Sequence, residues 1–114
     1  MNILIVTTET CPGYRVDQVM GPVFGTAVRS RNVVGNLLSR VSGFFGGKQG
    51  GAIRMIRQTR EDALADLSQR AESMGANAVL ATRFDSGEFD SGPGYVMEEI
   101  TVYGTAVRLT ALAG

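Results

Sequence analysis

The chain has 114 residues, with 11 Lys plus Arg balanced by 11 Asp plus Glu, no His, one Cys and 44% hydrophobic residues. That is the size of a single domain, 1–114, with a modest core. Without His the chain lacks the usual base of Ser and Cys hydrolases and the commonest ligand of zinc and copper, and the lone Cys11 has no disulfide partner, which suits a reducing, cytoplasmic setting.

Ile3 to Thr7 reads as a short β-branched strand, and Pro12-Gly13 as a turn. The apolar start lacks the basic lead-in of a signal peptide, and no stretch reaches the roughly 18 apolar residues of a spanning helix, so no membrane partner is expected. Tyr14 to Val28 reads as a second strand; Gly21-Pro22 in its middle predicts a bent edge strand, because Pro has no N–H to donate. From Ser30 to Phe45 the apolar residues Val33, Val34, Leu37, Leu38, Val41, Phe44 and Phe45 recur at helical spacing, predicting an extra helix over about Val33–Phe45. A glycine-dense connection, Gly43 to Gly51, follows. It fails as a phosphate-binding loop, which would need Gly at Ser42 and Ser or Thr at Gln49.

Ala52 to Met74 places Ile53, Ile56, Ala63, Leu67, Ala71 and Met74 on one stripe, predicting a long helix stopped by Gly75. A strand from Ala78 to Asp85, a polar loop from Ser86 to Gly94 and a strand from Val96 to Leu109 then form a hairpin. In the last strand Val96, Ile100, Val102, Gly104 and Ala106 share the face expected to seat the long helix. The opposite face ends in Val107 and Leu109, which reads as a subunit interface. Phe24-Gly25-Thr26-Ala27-Val28-Arg29 and Tyr103-Gly104-Thr105-Ala106-Val107-Arg108 repeat one another in pattern, consistent with two strands packing similarly around one helix.

The charge is segregated. Gln18 to Arg60 carries seven cations and no acid, whereas Glu61 to Glu99 carries nine acids against Arg70 and Arg83. Such a pattern can serve a basic ligand-binding surface or place complementary faces on neighbouring copies of the chain, and the second is the expectation. Nucleic acid is not an expected partner, because the pI is about 6.2 and the few aromatic residues are scattered through the apolar pattern.

Two groups could hold a metal. Asp85, Glu88 and Asp90 in the predicted loop offer hard oxygen ligands, and Cys11 is a soft one that only a symmetric oligomer could multiply. Glu98 and Glu99 alternate across a strand and cannot serve as a same-face acid/base pair. No nucleophile is paired with a recognisable base, so an enzyme with a site between subunits is the least supported reading.

The stretch Arg60 to Asp85, with Ala63, Leu67 and Ala71, then Gly75-Ala76-Asn77-Ala78-Val79 and Arg83-Phe84-Asp85, followed by Tyr103-Gly104-Thr105-Ala106-Val107, resembles the YbjQ-like family. Thr7-Thr8, Gly13-Tyr14, Gly21 and Gly25 fit the same pattern over essentially the whole chain. At Thr26 the family often carries an acid, and at Ala81 a Gly. The resemblance implies an α+β subunit with a dodecin-subunit-like β-α-β-β core and a ring oligomer, typically a pentamer. It also carries a heavy-metal-binding label, with no cofactor beyond a metal ion implied. The expectation is therefore a bent antiparallel sheet on one long helix, plus the extra helix, in a non-enzymatic ring that binds a small ligand or partner through assembled surfaces. Metal binding is the alternative.

Overall fold

The structure, a computed structural model, describes residues 2–30, 50–92 and 95–113. The helix expected over Val33–Phe45 lies outside the described residues. The elements in chain order are β1 (Leu4–Ile5), β2 (Tyr14–Ser30), α1 (Gly50–Ser73), β3 (Ala78–Gly92) and β4 (Tyr95–Ala111). They make an α+β fold with one four-stranded sheet in the order β1-β3-β4-β2.

The sheet is mixed rather than wholly antiparallel, because β1 runs parallel to β3 while β2–β4 and β3–β4 are antiparallel. The two strands of the amino-terminal segment thus lie at opposite edges. The connection between them crosses one face of the sheet, and there Val6 and Cys11 cover Ala78, Leu80, Val107 and Leu109. The apolar end of β4 is therefore buried by its own chain, with Val107 1% and Leu109 7% exposed, rather than left open as the alternation alone suggested.

β2 is the expected bent edge strand. Its register with β4 slips between Val16 and Gln18 and again between Val19 and Gly21, and Gly21 takes a φ of 124° that a side chain would resist. Past the bend, α1 lies directly on β2. A Cβ on Gly25 would stand 2.3 Å from the Ala63 carbonyl oxygen and 2.5 Å from the Leu67 nitrogen, so the helix backbone rests where only glycine leaves room. Ala63, Leu67 and Ala71 then bury completely against Val23, Val79, Val102 and Ala106. The helix ends as its sequence dictates: Gly75 is left-handed, its N–H donates to the Glu72 carbonyl, and Ala76 N–H donates to the Ala71 carbonyl.

The repeated hexapeptides meet across the β2–β4 ladder, with Phe24 opposite Tyr103 and the ring centroids 6.1 Å apart. Their glycines do different work. Gly25 admits the helix, whereas Gly104 admits β3, whose Val79 Cγ1 and Leu80 carbonyl oxygen would lie 2.6 and 2.7 Å from an added Cβ. Their arginines converge on α1 from either end: Arg29 Nε donates to Thr59 Oγ1 at 2.8 Å, and Arg108 Nη1 donates to the Gly75 carbonyl at 3.0 Å.

The polar stretch Ser86 to Gly92 is strand, not loop, paired with β4 as far as Gly92 opposite Tyr95. Its composition favours a turn, but β4 supplies a continuous partner, and pairing overrides weak local preference. The helix stripe is also shorter than its pattern. Ile53 and Ile56 are about half exposed, at 44% and 45%, and the apolar stripe is fully buried only from Ala63 onward. At about 36 Å, α1 is shorter than strands of roughly 50 Å, and the distal part of the sheet extends beyond the part its helix buries.

Candidate functional site

That distal part is an arm of three strands, and its two faces differ. Alternation places Phe84, Ser86, Glu88 and Asp90 of β3 and Glu98 and Ile100 of β4 on the helix side. Here the first turns of α1 stand off the sheet and enclose an open cavity of about 660 Å³, lined by Ile56, Arg60, Phe84, Ser86, Glu88, Glu98 and Ile100 among others. Glu88 and Glu98 are direct cross-strand partners. Such like-charged pairing is unfavourable unless a cation or solvent relieves it, and Arg60 lines the same cavity.

The other face of the arm, away from α1, carries Phe24 and Val28 of β2, Tyr103, Thr101, Glu99 and Met97 of β4, and Asp85 and Phe89 of β3. Phe24 is 54% exposed, Val28 and Phe89 46% and Tyr103 39%. Between the apolar positions run hydroxyls and acids: Thr26 and Thr101 hydroxyls meet at 3.3 Å, and Thr101 donates to Glu99 Oε2 at 3.2 Å.

The metal candidates are divided by this geometry. By alternation Glu88 and Asp90 share the helix side with Glu98, whereas the Asp85 side chain alternates to the opposite face, although Asp85 also borders the cavity, and its Oδ1 accepts the Ser86 N–H at 3.0 Å. Cys11 lies beneath the sheet at its other end, half-buried beside the Leu80 and Leu109 cluster. Among the described residues, which include every Cys, Asp and Glu of the chain, no three such side chains converge as a metal site would require. Glu98 is the cavity acid that sequence reasoning missed. Had β3 been continued past Asp85, the hairpin register would have set it opposite Glu88.

Part of the charge segregation is satisfied within the chain. Asp62 accepts from Arg29 Nη2 at 2.9 Å and from Gln58 at 2.9 Å. Asp66 accepts from Arg70 at 3.2 Å and caps the outward N–H of Thr26 at 2.9 Å, which shields the edge of β2. Arg54 and Arg57 stand exposed in the first turns of α1. Asp17, at the start of the sheet, is held below the usual carboxylate range by a hydrogen bond from the Thr110 hydroxyl and by Arg15.

Fold and site together define a small α+β protein whose sheet is buried at one end and, among the described residues, only loosely covered at the other. A family model described as "Putative heavy-metal-binding" matches residues 3–110, and the chain belongs to this YbjQ family. It is 53% identical over 111 residues to a UPF0145 protein from Acidiphilium cryptum, covering 97% of each chain. A UPF0145 protein from Acidothermus cellulolyticus is 42% identical, covering 96% of this chain and 98% of the relative. Among solved structures, a protein of unknown function of the DUF74 family from Pediococcus pentosaceus matches with a TM-score of 0.62 at 14% identity, over 95% of this chain and 98% of that one. This last likeness concerns the fold. Among the described residues, no helix is long and apolar enough to cross a membrane.

Proposed function

We propose that this chain is a non-enzymatic, self-assembling protein of the cytoplasm, in which copies join through the open arm into a ring, five in the expected assembly. Each subunit contributes its β2-α1-β3-β4 unit as a dodecin-like core, and a small ligand or partner is held on surfaces that assembly completes. The observation that carries this reading is the strip of Phe24, Tyr103, Val28 and Phe89, all 39–54% exposed on one face of the arm. Apolar groups gathered in this way on a soluble chain mark a surface made to be covered.

Size-exclusion chromatography with light scattering tests it. The wild-type chain runs as an oligomer, and Phe24→Asp or Phe89→Asp shifts it to smaller species while the far-ultraviolet spectrum is retained. Reversing Arg54 and Arg57 to Glu weakens the oligomer in a salt-dependent way where charge complementarity contributes. A monomeric wild type, or an oligomer indifferent to both arm substitutions, contradicts the reading.

Metal binding is a second reading, favoured by the family description. Because the described acids and Cys11 do not converge within one copy, such a site is shared between copies, with Cys11 or the group Asp85, Glu88 and Asp90 as donors. Elemental analysis of chelator-free protein, repeated on Cys11→Ser and on the triple Ala variant, tests it: metal retained by both variants removes these donors.

A further inference from the structure

The face of the arm away from α1 has a relief that its strand register fixes. Side chains on that face fall in rows across the strands: Phe24 beside Tyr103, then Thr26, Thr101 and Asp85, then Val28, Glu99 and Gly87, then Met97 beside Phe89. Aromatic rings stand at both ends, with Phe24 and Phe89 about half exposed. The middle rows are low, because they hold two threonines and a glycine. Six residues separate the end rows, about 20 Å along a strand, and an α-helix with its side chains is about 10–12 Å across. The face is thus a trough of helix width between two ridges.

Its floor is acidic. Asp85 accepts a hydrogen bond from the Ser86 N–H and Glu99 from the Thr101 hydroxyl, both within their own strands, and neither acid has an ion pair among the described residues. The chain also carries a helical segment of matching chemistry. α1 has no acid before Glu61, and ahead of it Ile53, Arg57 and Arg60 follow one another at spacings of four and three, with Arg54 beside them. All four are exposed, and among the described residues the three arginines form no ion pair. This segment lies on the other side of its own sheet, where Ile56 and Arg60 border the cavity, so only a second copy can bring it to the trough.

We infer that the first turns of α1 in one copy lie in the arm trough of the next, with Arg54 and Arg57 against Asp85 and Glu99 and Ile53 among the exposed rings. Two troughs laid face to face would instead bring one acidic floor against another, which like charge opposes. The contact is therefore heterologous: each copy gives its helix to one neighbour and its trough to another, and such contacts repeat until a ring closes. This inference rests on the assembling role proposed above and assigns to it two different surfaces.

Two variants, each defective on one surface, test it by size-exclusion chromatography with light scattering. Phe24→Asp spoils the trough and leaves the helix. Arg54→Glu with Arg57→Glu spoils the helix segment and leaves the trough, and acids near a helix start suit the helix dipole, so the fold is kept. Each variant alone is a monomer with the wild-type far-ultraviolet spectrum. Mixed in equal amounts, they form a dimer of one copy of each and grow no further, because one intact helix and one intact trough remain. Exchanging the charges within one chain, by adding Asp85→Lys and Glu99→Lys to the Arg54→Glu and Arg57→Glu pair, restores the wild-type copy number. An oligomer of wild-type size from the Arg54→Glu, Arg57→Glu variant overturns the inference while leaving the assembling role intact, and so does an exchanged chain that stays monomeric. A monomeric wild type removes the assembling role and this inference with it.

Discussion

The two halves of the sheet are made from the same strands and have opposite fates. Around Gly25, Val102 and Ala106, α1 lies so close that Ala63, Leu67 and Ala71 are fully buried. On the face away from the helix Phe24, next to Gly25, stands half exposed, and further out along the arm so do Val28 of β2 and Phe89 of β3. What separates the halves is helix proximity rather than hydrophobicity. Small residues at 25, 63, 71 and 106 let backbone meet backbone, whereas the arm bears large side chains that the helix does not reach. A sheet built this way is buried by its helix at one end and leaves large side chains exposed at the other.

Substitutions can break this contrast. The largest expected effect is at Leu67, fully buried at the centre of the packed half, where Leu67→Ala costs about 3–4 kcal/mol in chemical denaturation; the matching Ile56→Ala in the open half costs less than about 1 kcal/mol. Gly25→Ala follows at about 3 kcal/mol, because the added methyl meets helix backbone at 2.3–2.8 Å and α1 must move as a body. Gly87→Ala in the arm is the control: its Cβ finds only the Glu99 side chain at 3.4 Å, so stability is unchanged or rises by up to about 0.5–1 kcal/mol. Equal losses at Gly25 and Gly87 would remove the distinction between the halves.

Arg29 bridges the two regions, and its bonds to Thr59 and Asp62 are partly exposed, with side-chain exposures of 30% for Arg29 and 45% for Asp62. Arg29→Met therefore lowers stability by only about 0.5–1 kcal/mol, less at high salt. The smallest effect belongs to Asp17. Its lowered ionisation means that its contribution is complete above about pH 4 and is lost as pH falls through the depressed value, so Asp17→Asn or Thr110→Val lowers stability slightly at neutrality, leaves it unchanged at low pH and thereby flattens the acid limb of a pH-stability profile.

The packed half was the more legible in the sequence. The 3.6-residue stripe through Ala63, Leu67 and Ala71, the stop at Gly75 and the Gly21-Pro22 bend each follow from a local rule, and each holds. The arm hid behind its composition. Ser86 to Gly92 reads as a turn until β4 is laid beside it, and with that strand missing, Glu98 could not be matched to Glu88, nor Asp85 assigned to the opposite face. The β3 bulge at Ala81 and Thr82 that fastens the connection between β1 and β2 was less visible still. Its key residue, Ala81, has no propensity for the left-handed conformation it adopts, and the sign of it lay in the Gly that the family often carries at that position. The parallel pairing of β1 was unreadable because two residues carry no register of their own.

The account rests on an open arm that other copies cover, and native mass spectrometry of protein purified without chelators or affinity metals addresses it most directly. It reports copy number and bound mass in one spectrum. The account predicts a discrete homo-oligomer, a pentamer if the ring closes as expected, which Phe24→Asp dissociates. A monomer at micromolar concentration, folded and soluble with its arm uncovered, would contradict it.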